Sequence, residues 1–140
     1  MNKKTLAIVA FFSFFSGAAT ADSSVPDYVE SAKSDVSSAL IANIFKRADF
    51  RCEALQAKDK TWTLGCFVHE KNPMPFLLFT VTPDPEKTNP PFDYKVHALN
   101  GKAKQYAGKD ALRMFKIDEV YNNSIDISAM RDEYADTFVK

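Results

Sequence analysis

A chain of 140 residues with 18 basic and 18 acidic side chains has no bulk charge to draw it to nucleic acid or to a membrane surface. Two cysteines, two histidines and four glycines exclude a zinc ribbon, a disulfide-dense miniature scaffold and a glycine-rich phosphate loop. The length suits one domain with a hydrophobic core of its own.

The first residues read as an export signal. Lys3 and Lys4 give a positive start, residues 6–15 are apolar apart from Ser13, and Ala19-Thr20-Ala21 matches the small-residue pattern of signal peptidase. The expectation is a cleaved leader at 1–21 and a single disulfide-containing domain at 22–140, periplasmic or secreted. The apolar run is roughly half the ~20 residues that a spanning helix needs, which argues against stable membrane insertion. Cys52 comes too late for a lipoprotein, and the small-residue site follows the apolar run, unlike that of a type IV pilin. Loss of 21 residues, two of them lysines, leaves 119 residues and a net charge of −2.

Residues 27–48 carry Val29, Ala32, Val36, Leu40 and Ile44 at helical spacing, with Ile41 and Phe45 widening the stripe. Pro26 suits the first turn, Asp27 and Glu30 the positive end, and Lys46 and Arg47 the other end. The polar face is mixed and serine-rich, so the stripe predicts packing on a sheet and not adsorption to a membrane.

Residues 50–57 and 61–69 are strand-like runs around the polar turn Lys58-Asp59-Lys60. A hairpin centred on Asp59 sets Cys52 opposite Cys66, Phe50 opposite Val68, Ala54 opposite Leu64 and Gln56 opposite Trp62. Cysteine pairing and apolar burial thus demand the same register, and a slip of one residue would destroy both. An even cysteine count in an exported chain predicts a Cys52–Cys66 disulfide, worth about 2–3 kcal/mol on a loop-entropy view. The opposite face, with Arg51, Glu53, Thr61, Thr63 and His69, reads as the wetter one.

Pro73 and Pro75 punctuate the chain before a third strand at 76–82. Residues 83–91 form a proline-rich loop. A fourth strand at 92–99 points Phe92, Tyr94, Val96 and Ala98 inward, leaving Asp93, Lys95 and His97 outside. Asn100-Gly101 reads as a turn, residues 109–120 fit helix and strand about equally, and a last helix starts after Ser128 with Met130, Tyr134 and Phe138 on one side. The fold class is therefore α+β: an N-terminal amphipathic helix on a roughly four-stranded antiparallel sheet, with a short C-terminal helix. A helix followed by an antiparallel meander resembles cystatin-like folds in outline, a likeness of shape that carries no function.

Catalytic and metal motifs are absent from the linear pattern, and no cofactor is implied. His97 with Asp93 and Lys95 is what any solvated strand face produces, His69-Glu70 lacks a third member, and the serines of 31–38 lie on a helix with no nucleophile turn. Asp126, Asp132, Glu133 and Asp136 lack the glycine and alternation of a calcium loop. Tyr94, Tyr106 and Phe115 among lysines faintly suggest a surface for stacking nucleic-acid bases. Charge is segregated: residues 87–116 hold seven basic and two acidic side chains, whereas 117–140 hold six acidic and two basic. The leading expectation is a non-catalytic exported binding or assembly module of the bacterial envelope with a protein partner, in contact through loop 83–91 and the basic segment. The alternatives are a small secreted hydrolase whose residues meet only in space, and a protein binding anionic polymer through 87–116.

Overall fold

The structure is a computed structural model that describes residues 24–69, 75–119 and 124–139. The leader, its cleavage site and Glu70 lie outside the described residues. The chain runs through α1 (Asp27–Leu40), a π-helical turn (Ile41–Phe45), β1 (Phe50–Gln56), β2 (Trp62–Val68), β3 (Leu77–Pro83) and β4 (Tyr94–Ala98). It continues with α2 (Gly101–Ala107), a 3-10 helix (Asp110–Phe115), β5 (Asp118–Glu119) and α3 (Ile127–Phe138). The strands form one sheet in chain order.

Strands β1 to β4 are an antiparallel meander, and the short β5 adds a fifth strand, parallel to β4. The expected four-stranded antiparallel sheet is thus extended into a mixed one. Parallel neighbours need a crossover between them, which is what α2 and the 3-10 helix supply. Asn100 does not end in a simple turn. Its side chain caps α2 by accepting from the Ala103 amide at 2.9 Å, accepts from the Leu78 amide at 3.0 Å, and donates to the Phe76 carbonyl at 3.0 Å.

The first helix buries Val29, Ala32, Val36 and Leu40 completely on one face of the sheet, each worth about 1.5–3 kcal/mol or less for the alanine. It ends in a π-helical turn, shorter than the sequence suggested, with Lys46 left-handed (φ 51°) and its amide bonded to the Ile41 carbonyl at 2.9 Å. That turn brings Phe45 onto Phe50 with ring centres 4.0 Å apart. The disulfide Cys52–Cys66 lies beneath this layer, both sulfurs in the core.

The hairpin has the register 50↔68, 52↔66, 54↔64 and 56↔62. Its loop manages without glycine because Lys60 adopts the left-handed conformation (φ 70°), while the Lys60 amide bonds to the Ala57 carbonyl and the Ala57 amide to the Thr61 carbonyl.

The face expected to be wetter is covered. Helix α3, capped by Asp126 and not by Ser128, lays Met130 and Tyr134 against Phe67, Phe76, Leu78 and Leu99. All seven residues of β2 are buried, Thr63 fully. Gly65 is the seat of this layer: a Cβ there would stand 2.8–2.9 Å from ring carbons of Tyr134. The Tyr134 hydroxyl bonds to the Leu55 amide (3.0 Å), Thr63 Oγ1 (2.8 Å) and, more distantly, the Glu53 carbonyl (3.3 Å). Among the described residues, no helix is long and apolar enough to cross a membrane.

Candidate functional site

Loop 84–92 and the 3-10 helix meet at one end of the sheet. Asp84 Oδ2 accepts from the Thr88 amide at 2.9 Å and the Thr88 hydroxyl at 2.6 Å, and these donors hold its carboxyl below the usual range. Pro90–Pro91 is cis, and the Phe92 amide closes the turn onto the Asn89 carbonyl at 3.0 Å. Asn89 Nδ2 then donates to the Met114 carbonyl at 3.0 Å, while Phe92 packs on Phe115 at 5.1 Å. The proline-rich loop is therefore braced against the crossover at both backbone and side chain.

The 3-10 helix buries Leu112 and Phe115, which a tight three-residue repeat places on one side. The same repeat turns Met114 outward, and at 54 % exposure it is the one large hydrophobic side chain exposed among the described residues. An open concavity beside it is lined by Ile44, Ala111, Lys109 and Asp110. Lys109, Arg113 and Lys116 surround this spot in the chain, and all three are exposed.

On the other side of Phe115 lies a smaller cavity of about 180 Å³, lined by Lys95, His97, Lys116 and Asp118 together with Thr88 and Asn89. The parallel register sets Asp118 beside His97. His97 Nε2 is 3.4 Å from the Thr82 hydroxyl. Burial, opposed by Asp118 and aided by the Lys95 charge, pulls the His97 imidazole below its ordinary value of 6.5 and favours its neutral form.

The candidates read from the sequence separate in space. His97 and Lys95 share that cavity, but their carboxylate neighbour there is Asp118 and not Asp93. His69 lies elsewhere, with Arg51 Nε 3.0 Å from its Nε2, Arg51 Nη2 3.2 Å from its Nδ1 and Glu53 3.7 Å away. Burial first, and then the guanidinium, lowers its pKa. Both ring nitrogens thus lie within 3.2 Å of the Arg51 guanidinium, with no third catalytic partner among these residues. Ser37 accepts from the Cys52 amide at 2.8 Å, a structural bond. Tyr94 and Phe115 are core residues, the former donating to Asp35 at 2.7 Å, and Tyr106 packs on Phe45, so these rings do not form a stacking surface. Asp126 caps α3, and among the described residues no group of three or more His, Cys, Asp or Glu is placed to hold a metal ion.

Within the basic segment, Lys104 pairs with Glu119 at 3.8 Å and Arg113 with Asp110 at 2.6 Å. Among the described residues Lys87, Lys95, Lys102, Lys109 and Lys116 are exposed and form no ion pair, and none bridges to the acidic side chains of α3. Sequence reasoning included Lys116 in the basic segment 87–116 but did not single out Met114 or bring Asp118 to it. The available signal was Leu112-Arg113-Met114-Phe115, whose apolar residues fit neither the helical nor the strand period. Comparison with family models, curated proteins and solved structures gives no match to this chain.

Proposed function

We propose that this chain is a non-catalytic exported binding module that grips a protein partner through the surface built on the 3-10 helix and loop 84–92. The observation that carries the reading is Met114, a flexible apolar side chain left exposed on a rigid, cation-bordered platform. Methionine and arginine are enriched at protein interfaces, whose centres are apolar and whose rims are polar. The unpaired lysines ask for an acidic rim on the partner. A buried disulfide suits an oxidising compartment, which supports export to the envelope or beyond.

The test is a photo-cross-linking amino acid at position 114 in the natural host, with a second one at Asp136 on the exposed side of α3 as control. A discrete adduct from 114 and none from 136 is the expected result. Equal labelling from both positions, or none from 114, defeats the proposal.

Two other readings each have one observation in their favour. The unpaired lysines of 87–116 favour an anionic polymer, for which binding would fall steeply with salt. The meeting of His97 with Asp118 favours a hydrolase, for which His97→Ala would abolish turnover.

A further inference from the structure

We propose that the cavity between β4 and the end of the 3-10 helix is a carboxylate-binding subsite, taking one glutamate or aspartate side chain from the partner. The inference rests on the binding reading above and deepens it by naming what the partner inserts.

The cavity is lined by more cations than anions. Lys95 and Lys116 contribute positive charge and Asp118 negative, and Asp84, held on Thr88 behind the wall, offsets part of the Lys95 charge. A single carboxylate can pair with both ammonium groups. A phosphate dianion leaves an excess negative charge beside Asp118, and a cation meets two ammonium groups. Of the donors in loop 84–92, the amide and hydroxyl of Thr88 are committed to Asp84 and one Asn89 amide proton to Met114. The main uncommitted donors are therefore the two lysine ammonium groups, a pair suited to two carboxylate oxygens.

The frame is stiff and placed beside the proposed hot spot. His97 is fixed by strand β4, Asp118 by its parallel pairing, and Lys116 by the left-handed residue that stops the 3-10 helix (φ 48°). Phe115 separates the cavity from Met114 by one residue, and a volume of about 180 Å³ admits the end of a side chain and not a folded segment. An acidic residue next to an apolar one on the partner would fill both positions at once.

The chain has only two histidines, so imidazole proton resonances give a site readout with an internal control. The natively processed, disulfide-bonded protein is titrated at pH 7 and constant ionic strength with N-acetyl-glutamate-N-methylamide. Its glutamine counterpart, chloride and inorganic phosphate are the comparison arms. The expected result is a saturable shift of His97 with the glutamate compound, no movement of His69, and affinity about tenfold weaker in Lys95→Gln and in Lys116→Gln, the loss of one charge-assisted bond. The inference is overturned by a stationary His97, by equal shifts with the glutamine compound or chloride, or by tighter binding of phosphate than of carboxylate. Cross-linking from position 114 is independent of this measurement. Adducts with a stationary His97 reject the subsite alone, and loss of both rejects the surface as a whole.

Discussion

Replacing Tyr134 by phenylalanine removes one oxygen from the second core, and its cost follows from the proton count around that oxygen. Thr63 Oγ1 has a single proton and spends it on the Leu55 carbonyl at 2.7 Å. The Tyr134 hydroxyl must then donate to Thr63 and accept from the Leu55 amide, with the Glu53 carbonyl at 3.3 Å a weaker competitor. Burial raises the phenol's pKa above its ordinary value, so the hydroxyl keeps its proton throughout the working range. Tyr134→Phe therefore deprives two buried groups of a partner, at about 1–2 kcal/mol. With a urea slope of about 2 kcal/mol per molar, the unfolding midpoint falls by roughly 0.5–1 M. Gly65→Ala strikes the same ring from the other side, because its Cβ needs the space within 2.9 Å of three ring carbons, and overpacking of this kind costs about 1–3 kcal/mol. The decisive comparison is Gly65→Ala in a Tyr134→Ala background. There the clash is gone and the alanine is neutral or favourable, since glycine is a poor strand residue. An alanine penalty of the same size in both backgrounds would refute the packing of α3 on β2.

Reduction, or the paired change Cys52→Ala with Cys66→Ala, should lower stability by about 3 kcal/mol for a sequence separation of 14, read as a urea midpoint with and without reductant. Both sulfurs are in the core, so thiol reagents should fail to label the oxidised protein even with mild reductant until denaturant is added. Stability should also fall as pH drops below about 6.5. Both histidines have folded pKa values below the ordinary 6.5, so the unfolded chain takes up protons first, and the stability present above 6.5 is lost as pH falls towards the folded values. His69→Gln combined with His97→Gln should flatten the urea midpoint between pH 7.5 and 5.5, and an unchanged slope would remove the histidines from the explanation. Intact-mass measurement of protein from its natural host should give a chain starting at Asp22, and a mass for all 140 residues would remove the leader from the reading.

What could be read from the linear chain depended on whether one constraint or two acted on a segment. The hairpin was legible because cysteine pairing and apolar alternation required the same register, and the structure pairs 52 with 66 and 50 with 68. The stripe of α1 was legible because Val29, Ala32, Val36 and Leu40 recur at helical spacing and all turn into one core. The second face was misjudged because alternation is informative only where one side of a strand meets water. Strand β1, at the edge, does alternate between buried and exposed positions, but central β2 is buried throughout, and its Thr63 and Gly65 are small and polar-looking for a reason that lies 70 residues away. Thr63 bonds to the Tyr134 hydroxyl, and Gly65 makes room for the Tyr134 ring.

The candidate site was harder to read for a related reason. Asp118 reaches His97 only through a parallel pairing, and parallel pairing depends on the crossover between β4 and β5, for which the chain signals only a turn at 100–101 and an undecided segment at 109–120. Met114 lies outward on a three-residue repeat that sets Leu112 and Phe115 on one side, a segment of six residues too short for its period to stand out within 109–120. Asn100 fixes the start of this crossover, since its one side chain caps α2 and ties it to the start of β3. The far end is held by other long-range contacts, the Asn89 bond to the Met114 carbonyl and the pairing of β5 with β4. The segment 87–116 was legible as a contact surface from its charge, whereas the placing of Asp118 beside it and the outward turn of Met114 depend on these contacts between distant residues.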